Sequence, residues 1–391
     1  MKKKYISLFV VCSLLLSLGI SCQKDDDATP YVKYVRPTNA AQADSLLTRA
    51  AMGSTIAIIG HGLAGVCEVW FNDQRARLNP VYVTETSIIV TVPGSMPNEI
   101  TDKVTLRTSK GKSYSFDFAV IIPAPRVVSI KNEWAADGME TIIYGDFFFP
   151  DENGNLLNVL FPGNLSATVI AREEQEIRVR VPAGALSGYI TVESIYGTGR
   201  SQFIFRDSRG MFIDAEEPTS VWNTWGRSAF DTQGGTSGQY IRLNGQTSSW
   251  GWPADPITVL YFRPDGTPIV TDEYPENYAL KFEMNVIAWT APHLVMWFNT
   301  TTPNIDDPNA AQYFFYPVAT DGWTTITIPL SSFTDNKPQH YNNASGNSPK
   351  INSVNELVNF YIFPFGPFDE GVPAPAPFDI WLDNFRIVRI N

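Results

Sequence analysis

Hydrophobic and polar residues alternate with a period of two along much of this chain. The longest such run lies at 278–286. Tyr278, Leu280, Phe282, Met284 and Val286 fall on one face, and Ala279, Lys281, Glu283 and Asn285 on the other. The pattern predicts a strand with one face in a core and the other toward water. Shorter runs at 257–262, 293–298, 313–316, 324–328, 360–363 and 380–390 read as further strands, separated by turn residues. The first half carries an internal repeat. Gly53-Ser-Thr-Ile-Ala-Ile-Ile-Gly60 answers Gly138-Met-Glu-Thr-Ile-Ile-Tyr-Gly145 at an offset of 85 residues. Ser87-Ile-Ile-Val-Thr-Val-Pro93 answers Glu176-Ile-Arg-Val-Arg-Val-Pro182. A strand pair closes each copy, at 103–107 with 114–118 and at 189–192 with 201–205.

Each copy has the length and strand number of an immunoglobulin-like sandwich. The Gly-strand-Gly opening and the x-Ile-x-Val-x-Val-Pro strand resemble the IPT/TIG domain family. Pro123-Ala124-Pro125 forms a stiff, extended joint between the copies. From Asp207 the period is lost. The runs around Trp323 and Trp381 resemble the late and last strands of jelly-roll carbohydrate-binding modules. The expected fold is all-β: two tandem immunoglobulin-like (IPT/TIG) sandwiches, followed by a larger jelly-roll β-sandwich. The expected boundaries are a leader at 1–21, a tether at 22–30, repeats at 31–122 and 123–206, and the jelly roll at 207–391.

The leader has a basic start (Lys2, Lys3, Lys4) and an apolar run ending at Gly19-Ile20-Ser21-Cys22. This resembles a lipoprotein cleavage site, with Cys22 the lipidated residue. The acidic cluster Asp25, Asp26 and Asp27 resembles the export signal of Bacteroidetes lipoproteins displayed on the outer face of the outer membrane. Cys12 leaves with the leader and Cys22 is taken by lipid, so Cys67 stands alone and no intrachain disulfide is expected. A formal charge of −11 argues against nucleic acid as a partner, because phosphate binding needs a basic surface. It suits a neutral polysaccharide.

Eight of the ten tryptophans lie after residue 206. Two pairs sit in loop-like, polar sequence: Trp222 with Trp225, and Trp250 with Trp252. Each indole carries a large apolar face and one N–H, which suits the face of a sugar ring. These four and Trp289 are the candidate glycan-binding residues, with Asn223, Arg227 and Gln239 as hydroxyl readers. Trp289 reads as either exposed or core. Trp297, Trp323 and Trp381 read as packing, Trp70 and Trp134 as core or interface, and 363–368 as a rigid loop.

The order of parts resembles the surface glycan-binding lipoproteins of Bacteroidetes polysaccharide-utilisation loci, in the subgroup with a xyloglucan-binding C-terminal domain. The resemblance implies capture of a neutral plant β-glucan or hemicellulose for an outer-membrane glycan importer complex, with the repeats as spacers. An adhesin or assembly protein that binds a protein partner is the alternative reading. Catalysis is not expected. No Glu-x-Asp-x-Glu strand, zinc spacing among His61, His293 and His340, nucleophile elbow or phosphate loop occurs. The acidic run Asp214, Glu216 and Glu217 reads as solvated or as a structural calcium site. No catalytic residue, metal or cofactor is assigned.

Overall fold

The glycines that define the repeat are fixed by backbone geometry. Gly53 and Gly138 adopt φ of +76° and +81°, a region that side chains with a Cβ avoid. At Gly60 and Gly145 a Cβ would lie 1.9 Å from the carbonyl oxygen of Tyr31 and of Arg126. Both close approaches occur where the first strand of a repeat bulges against the second, between Val32 and Tyr34 and again between Val127 and Ser129. The motif read from the sequence therefore records one bulged strand pair, built twice.

The structure is a computed structural model that describes residues 28–42, 44–150, 157–216, 229–247, 259–262, 266–290, 293–298, 310–335, 348–366 and 375–390. It is all-β, with only short 3-10 turns between strands. The chain divides into two units, Met1–Pro123 and Ala124–Asn391. In the first, a sheet of Tyr31–Pro37, Thr55–His61 and Ser87–Thr91 packs on a sheet of Gln74–Arg75, Val66–Phe71, Lys103–Thr108 and Ser113–Asp117. The core between them holds Ile58, Val69, Phe71, Ile88, Val104 and Leu106. Trp70 lies on the outer side, its Nε1 donating to Glu68 at 2.8 Å and the Arg107 guanidinium 5.3 Å from its ring centre.

The second unit begins with the second repeat. Arg126–Ile130, Glu140–Asp146, Glu176–Arg180 and Thr168–Arg172 form one sheet, and Leu165–Ser166, Asn158–Phe161, Thr191–Ser194 and Gly197–Arg200 the other. Its core is Val127, Ile143, Val159, Phe161, Ile177, Val179, Val192 and Phe205. A larger sandwich follows. Its six-stranded sheet runs Ala229–Asp231, Tyr240–Gln246, Pro377–Arg389, Tyr278–Trp289, Thr324–Pro329, with Met211–Ile213 also paired to Pro377–Arg389. The four-stranded sheet runs Val259–Phe262, Asn359–Phe365, His293–Phe298, Ala311–Phe315. Leu280, Phe282, Met284, Leu294, Met296, Phe298, Phe360, Ile362, Leu382 and Phe385 fill the space between. A bulge between Lys281 and Glu283, opposite Asn384 at φ +52°, shifts the inward parity of the last strand from Leu382 to Phe385.

The polar face of Tyr278–Trp289 does not meet water, as its alternation suggested. Lys281, Glu283 and Asn285 are all buried. The second repeat covers that face and inserts Glu133 into it. Arg386, wholly buried, donates to both oxygens of Glu283 at 2.8 and 3.1 Å and to Glu133 at 2.8 Å. Lys281 donates to the other oxygen of Glu133 at 2.5 Å. Two carboxylates thus face two cations, so the buried group carries no net charge. Neutral bonds extend the joint. The Thr325 hydroxyl accepts from the Glu133 N–H at 2.7 Å, the Thr325 N–H donates to the Lys131 carbonyl at 2.8 Å, and the Asn132 amide donates to Thr236 at 2.7 Å. Trp134 lies at this joint, where its carbonyl accepts from the Thr236 hydroxyl at 2.9 Å.

Removing one member strands a buried charge. Arg386→Met is expected to destabilise the second unit by about 3–5 kcal/mol. Breaking the exposed Arg180–Glu140 pair by Arg180→Ala is expected to change it by no more than about 1 kcal/mol. Urea denaturation followed by tryptophan fluorescence distinguishes the two. Equal effects would mean that the quartet carries no special weight.

Candidate carbohydrate-binding face

Strand alternation gives the four-stranded sheet a second face. Along His293–Phe298, Leu294, Met296 and Phe298 enter the core between the sheets, while Val295 and Trp297 join a separate cluster on the opposite side. The neighbouring strand adds Tyr361, Phe363 and Phe365, and the next adds Phe314. Cross-strand register builds rows: Trp297 lies between Tyr361 and Gln312, Val295 between Phe363 and Phe314, and His293 beside Phe365. Trp297 meets Phe363 edge-on at 4.8 Å. Its Nε1 is buried and has no acceptor among the described residues. Burial alone pushes the Tyr361 phenol up to about 12, so it stays a neutral hydroxyl. This aromatic face lies on the side of the sandwich away from the second repeat.

The face opens at one end. His293 packs edge-on against Phe314 at 5.6 Å and Tyr316 at 4.6 Å, and Tyr316 is 63% exposed. Trp289, opposite Phe378 in the ladder, belongs to the same end of the sandwich. It is half-buried against that ring at 6.0 Å, and its indole N–H has no acceptor among the described residues. Gln246 also ends its strand here, opposite Pro377, a few residues before Trp250 and Trp252. Trp222, Trp225, Trp250 and Trp252, with Asn223 and Arg227, lie outside the described residues, as does Cys22. Gln239 is partly buried, and its backbone N–H donates to Glu216 at 2.5 Å.

Trp297 packs, in the cluster on the outer side of the four-stranded sheet. One expectation changes: Phe363 and Phe365 belong to a strand, not a loop. Tyr316 and His293 escaped the sequence reading. The available signal was that His293–Phe298 is apolar on both faces, which a strand with one wet face is not. Trp323 and Trp381 do pack. Trp381 stacks on Tyr240 at 4.6 Å, and the Trp323 indole donates to the Gly234 carbonyl at 2.6 Å.

A cluster of carboxylates lies elsewhere, where Met211–Ile213 leaves the six-stranded sheet. Asp214, Glu216 and Asp383 place oxygens within 4.8 Å of one another. Oxygen donors of this kind suit calcium. Asp383 is wholly buried and accepts from the Ser237 hydroxyl at 2.8 Å and the Asn384 N–H at 2.9 Å. Asp383, being buried, cannot reach a glycosidic oxygen. Desolvation pushes Asp383 up to about 8, and desolvation with the adjoining Asp214 pushes Glu216 up to about 7.

Comparison with known proteins assigns these parts. Residues 205–389 match the family described as surface glycan-binding protein B xyloglucan binding domain. Residues 45–120 match the IPT/TIG domain. The C-terminal domain is thus similar to the xyloglucan binding domain of surface glycan-binding protein B, and the first repeat to an IPT/TIG domain. It is similar to the solved surface glycan-binding protein PbSGBP-B from Prevotella bryantii, at 26% identity and a TM-score of 0.65, over 93% of this chain and 99% of that one. It shares its fold with SGBP-B from a complex xyloglucan utilization locus in Bacteroides uniformis, at 16% identity and a TM-score of 0.50, over 93% and 100%. An IPT/TIG domain-containing protein from Bacteroides ovatus is 35% identical over 158 residues, 37% of this chain and 32% of that relative. The chain spans about a third of the length of that relative.

The raised carboxyl at Asp383 sets a pH dependence. Between the unfolded value near 3.8 and the folded value near 8, the native state holds a proton that the unfolded chain has lost. Stability contributed here is therefore highest at acid pH and falls as pH rises through that window. In chelator, the melting temperature is expected to decrease from pH 5.5 to pH 8.5, and Asp383→Asn to flatten the decrease. An identical slope in the variant would place the effect elsewhere.

Proposed function

We propose that this protein is a cell-surface lipoprotein that binds a neutral plant polysaccharide, a β-glucan or hemicellulose such as xyloglucan, through its C-terminal sandwich. One observation carries the reading: the domain at 205–389 is of the xyloglucan-binding type, and a buried aromatic cluster on the outer side of its four-stranded sheet ends at the exposed Tyr316. Neutral sugars are held by ring stacking with a few polar groups, and a binding face without free charge suits them. Trp250 and Trp252 follow Gln246 at the open end of this face and are its proposed anchors, with Trp222, Trp225 and Trp289 as further candidates. Cys22 is the proposed lipid attachment that holds the chain on the outer membrane, facing outward. The captured polymer would pass to an outer-membrane importer complex.

Truncation of an aromatic anchor commonly costs about 2 kcal/mol or more. Trp250→Ala and Trp252→Ala are each expected to weaken xyloglucan or mixed-linkage β-glucan binding by roughly thirty-fold, measured by calorimetry and affinity electrophoresis. Tyr316→Ala is expected to weaken it less. Failure of the unaltered protein to bind any neutral glycan in a broad panel would sink the reading. Unchanged binding in both tryptophan variants would move the site.

A further inference from the structure

A cleft of 630 Å³ separates the second repeat from the six-stranded sheet and lies on the opposite side of the sandwich from the aromatic face. Its volume falls within the range of small-ligand sites. Three features of its walls define what it can hold. First, its cations are already matched. Lys281 pairs with Glu133, Arg209 makes two bonds of 2.8 Å to Asp207, and Lys131 pairs with Asp321. The Tyr278 hydroxyl and the Tyr274 and Glu273 N–H groups, with a smaller contribution from the charge of Arg389, hold the Asp272 carboxyl below its ordinary range. An anionic ligand would have to break one of these pairs, whereas a neutral one need not.

Second, the outer strand of the sheet, Thr324–Pro329, borders the cleft, yet the Lys131 carbonyl already takes the Thr325 N–H. That bond blocks the continuous ladder a peptide strand would require. Third, the remaining wall offers what a sugar needs. Tyr189 is 40% exposed, with the Arg200 guanidinium 3.6 Å from its ring centre on one side, which fixes the ring and leaves the other side for a ligand. Tyr144, Ser129, Thr327 and Gln202, all with neutral polar groups, line the same cleft.

We propose that this cleft is a second saccharide site, which takes a short stretch, about two or three sugar units, of the neutral polysaccharide assigned above. The inference rests on that assignment. The two sites face opposite ways, so the protein holds two stretches of polymer at once, and the second repeat is part of the binding surface rather than a spacer. The buried charge quartet fixes the cleft walls before any ligand arrives, which lowers the entropy lost on binding.

The test titrates the full chain with cello-, xylogluco- and manno-oligosaccharides by calorimetry, alongside affinity electrophoresis in xyloglucan gels. Tyr189→Ala removes the ring and Thr327→Trp fills the cleft; both sites are at the surface, and melting temperature controls for folding. The expected result is about two short oligosaccharides per chain, falling to one in either cleft variant, with polysaccharide retention weakened about ten-fold through lost avidity. One-to-one binding by the unaltered protein, or two-to-one binding that neither variant disturbs, overturns the inference and leaves the proposed function standing. Absence of binding to every glycan overturns both.

Discussion

The second unit depends on four charged side chains that are buried, or nearly so, where its two domains meet. Glu133, Lys281, Glu283 and Arg386 come from two domains, and each is tolerable only because the others are present. Removing a charge from water is expensive, and the attraction inside compensates only when the geometry is good and the sum is zero. Glu133 brings the needed second carboxylate from the repeat. Without it, Lys281 and Arg386 would share one acid, and the sheet would bury a net positive charge. The bulge at Asn384 supports the same arrangement, since it lets Arg386 point outward while Phe385 and Ile387 point into the core.

This constraint assigns the two outer faces of the sandwich to different tasks. One face is polar, buried and committed to the second repeat, to which it is also tied by the Thr325 and Asn132 bonds. The other is aromatic and lies away from that repeat. The joint orients the domain as well as stabilising it, and the aromatic cluster, itself buried, packs on the opposite side. The carboxylates of Asp214, Glu216 and Asp383 form a separate local knot at the edge of the polar side, too buried at Asp383 for surface chemistry.

The repeats were legible because their motif is local. Gly53, Gly60, Gly138 and Gly145 mark positive φ or a close backbone approach, and those requirements leave a signature in the residues themselves. The strands at 278–286 and 293–298 were legible for the same reason, since period-two alternation is a local property. The loop pairs Trp222 with Trp225 and Trp250 with Trp252 stood out by composition, but composition does not say which ring meets a sugar. Trp297 was read as core because it sits between Met296 and Phe298, yet adjacent strand residues point to opposite faces. Its placement in the outer cluster, with Tyr361 and Phe363, follows only from sheet order.

By itself, the amino-acid sequence determined the β class, the two repeats with their bulged openings, and the presence of a larger aromatic-rich domain. All of these follow from spacing within a few tens of residues. Tertiary structure decided what covers each face. Lys281, Glu283 and Asn285 carry the pattern of a wet strand face, and nothing within that strand shows that Glu133, 148 residues from Lys281 along the chain, pairs with Lys281, or that Thr320 bonds Asn285. Burial of a polar face depends on a partner from another domain, and the position of that partner is a property of the folded chain.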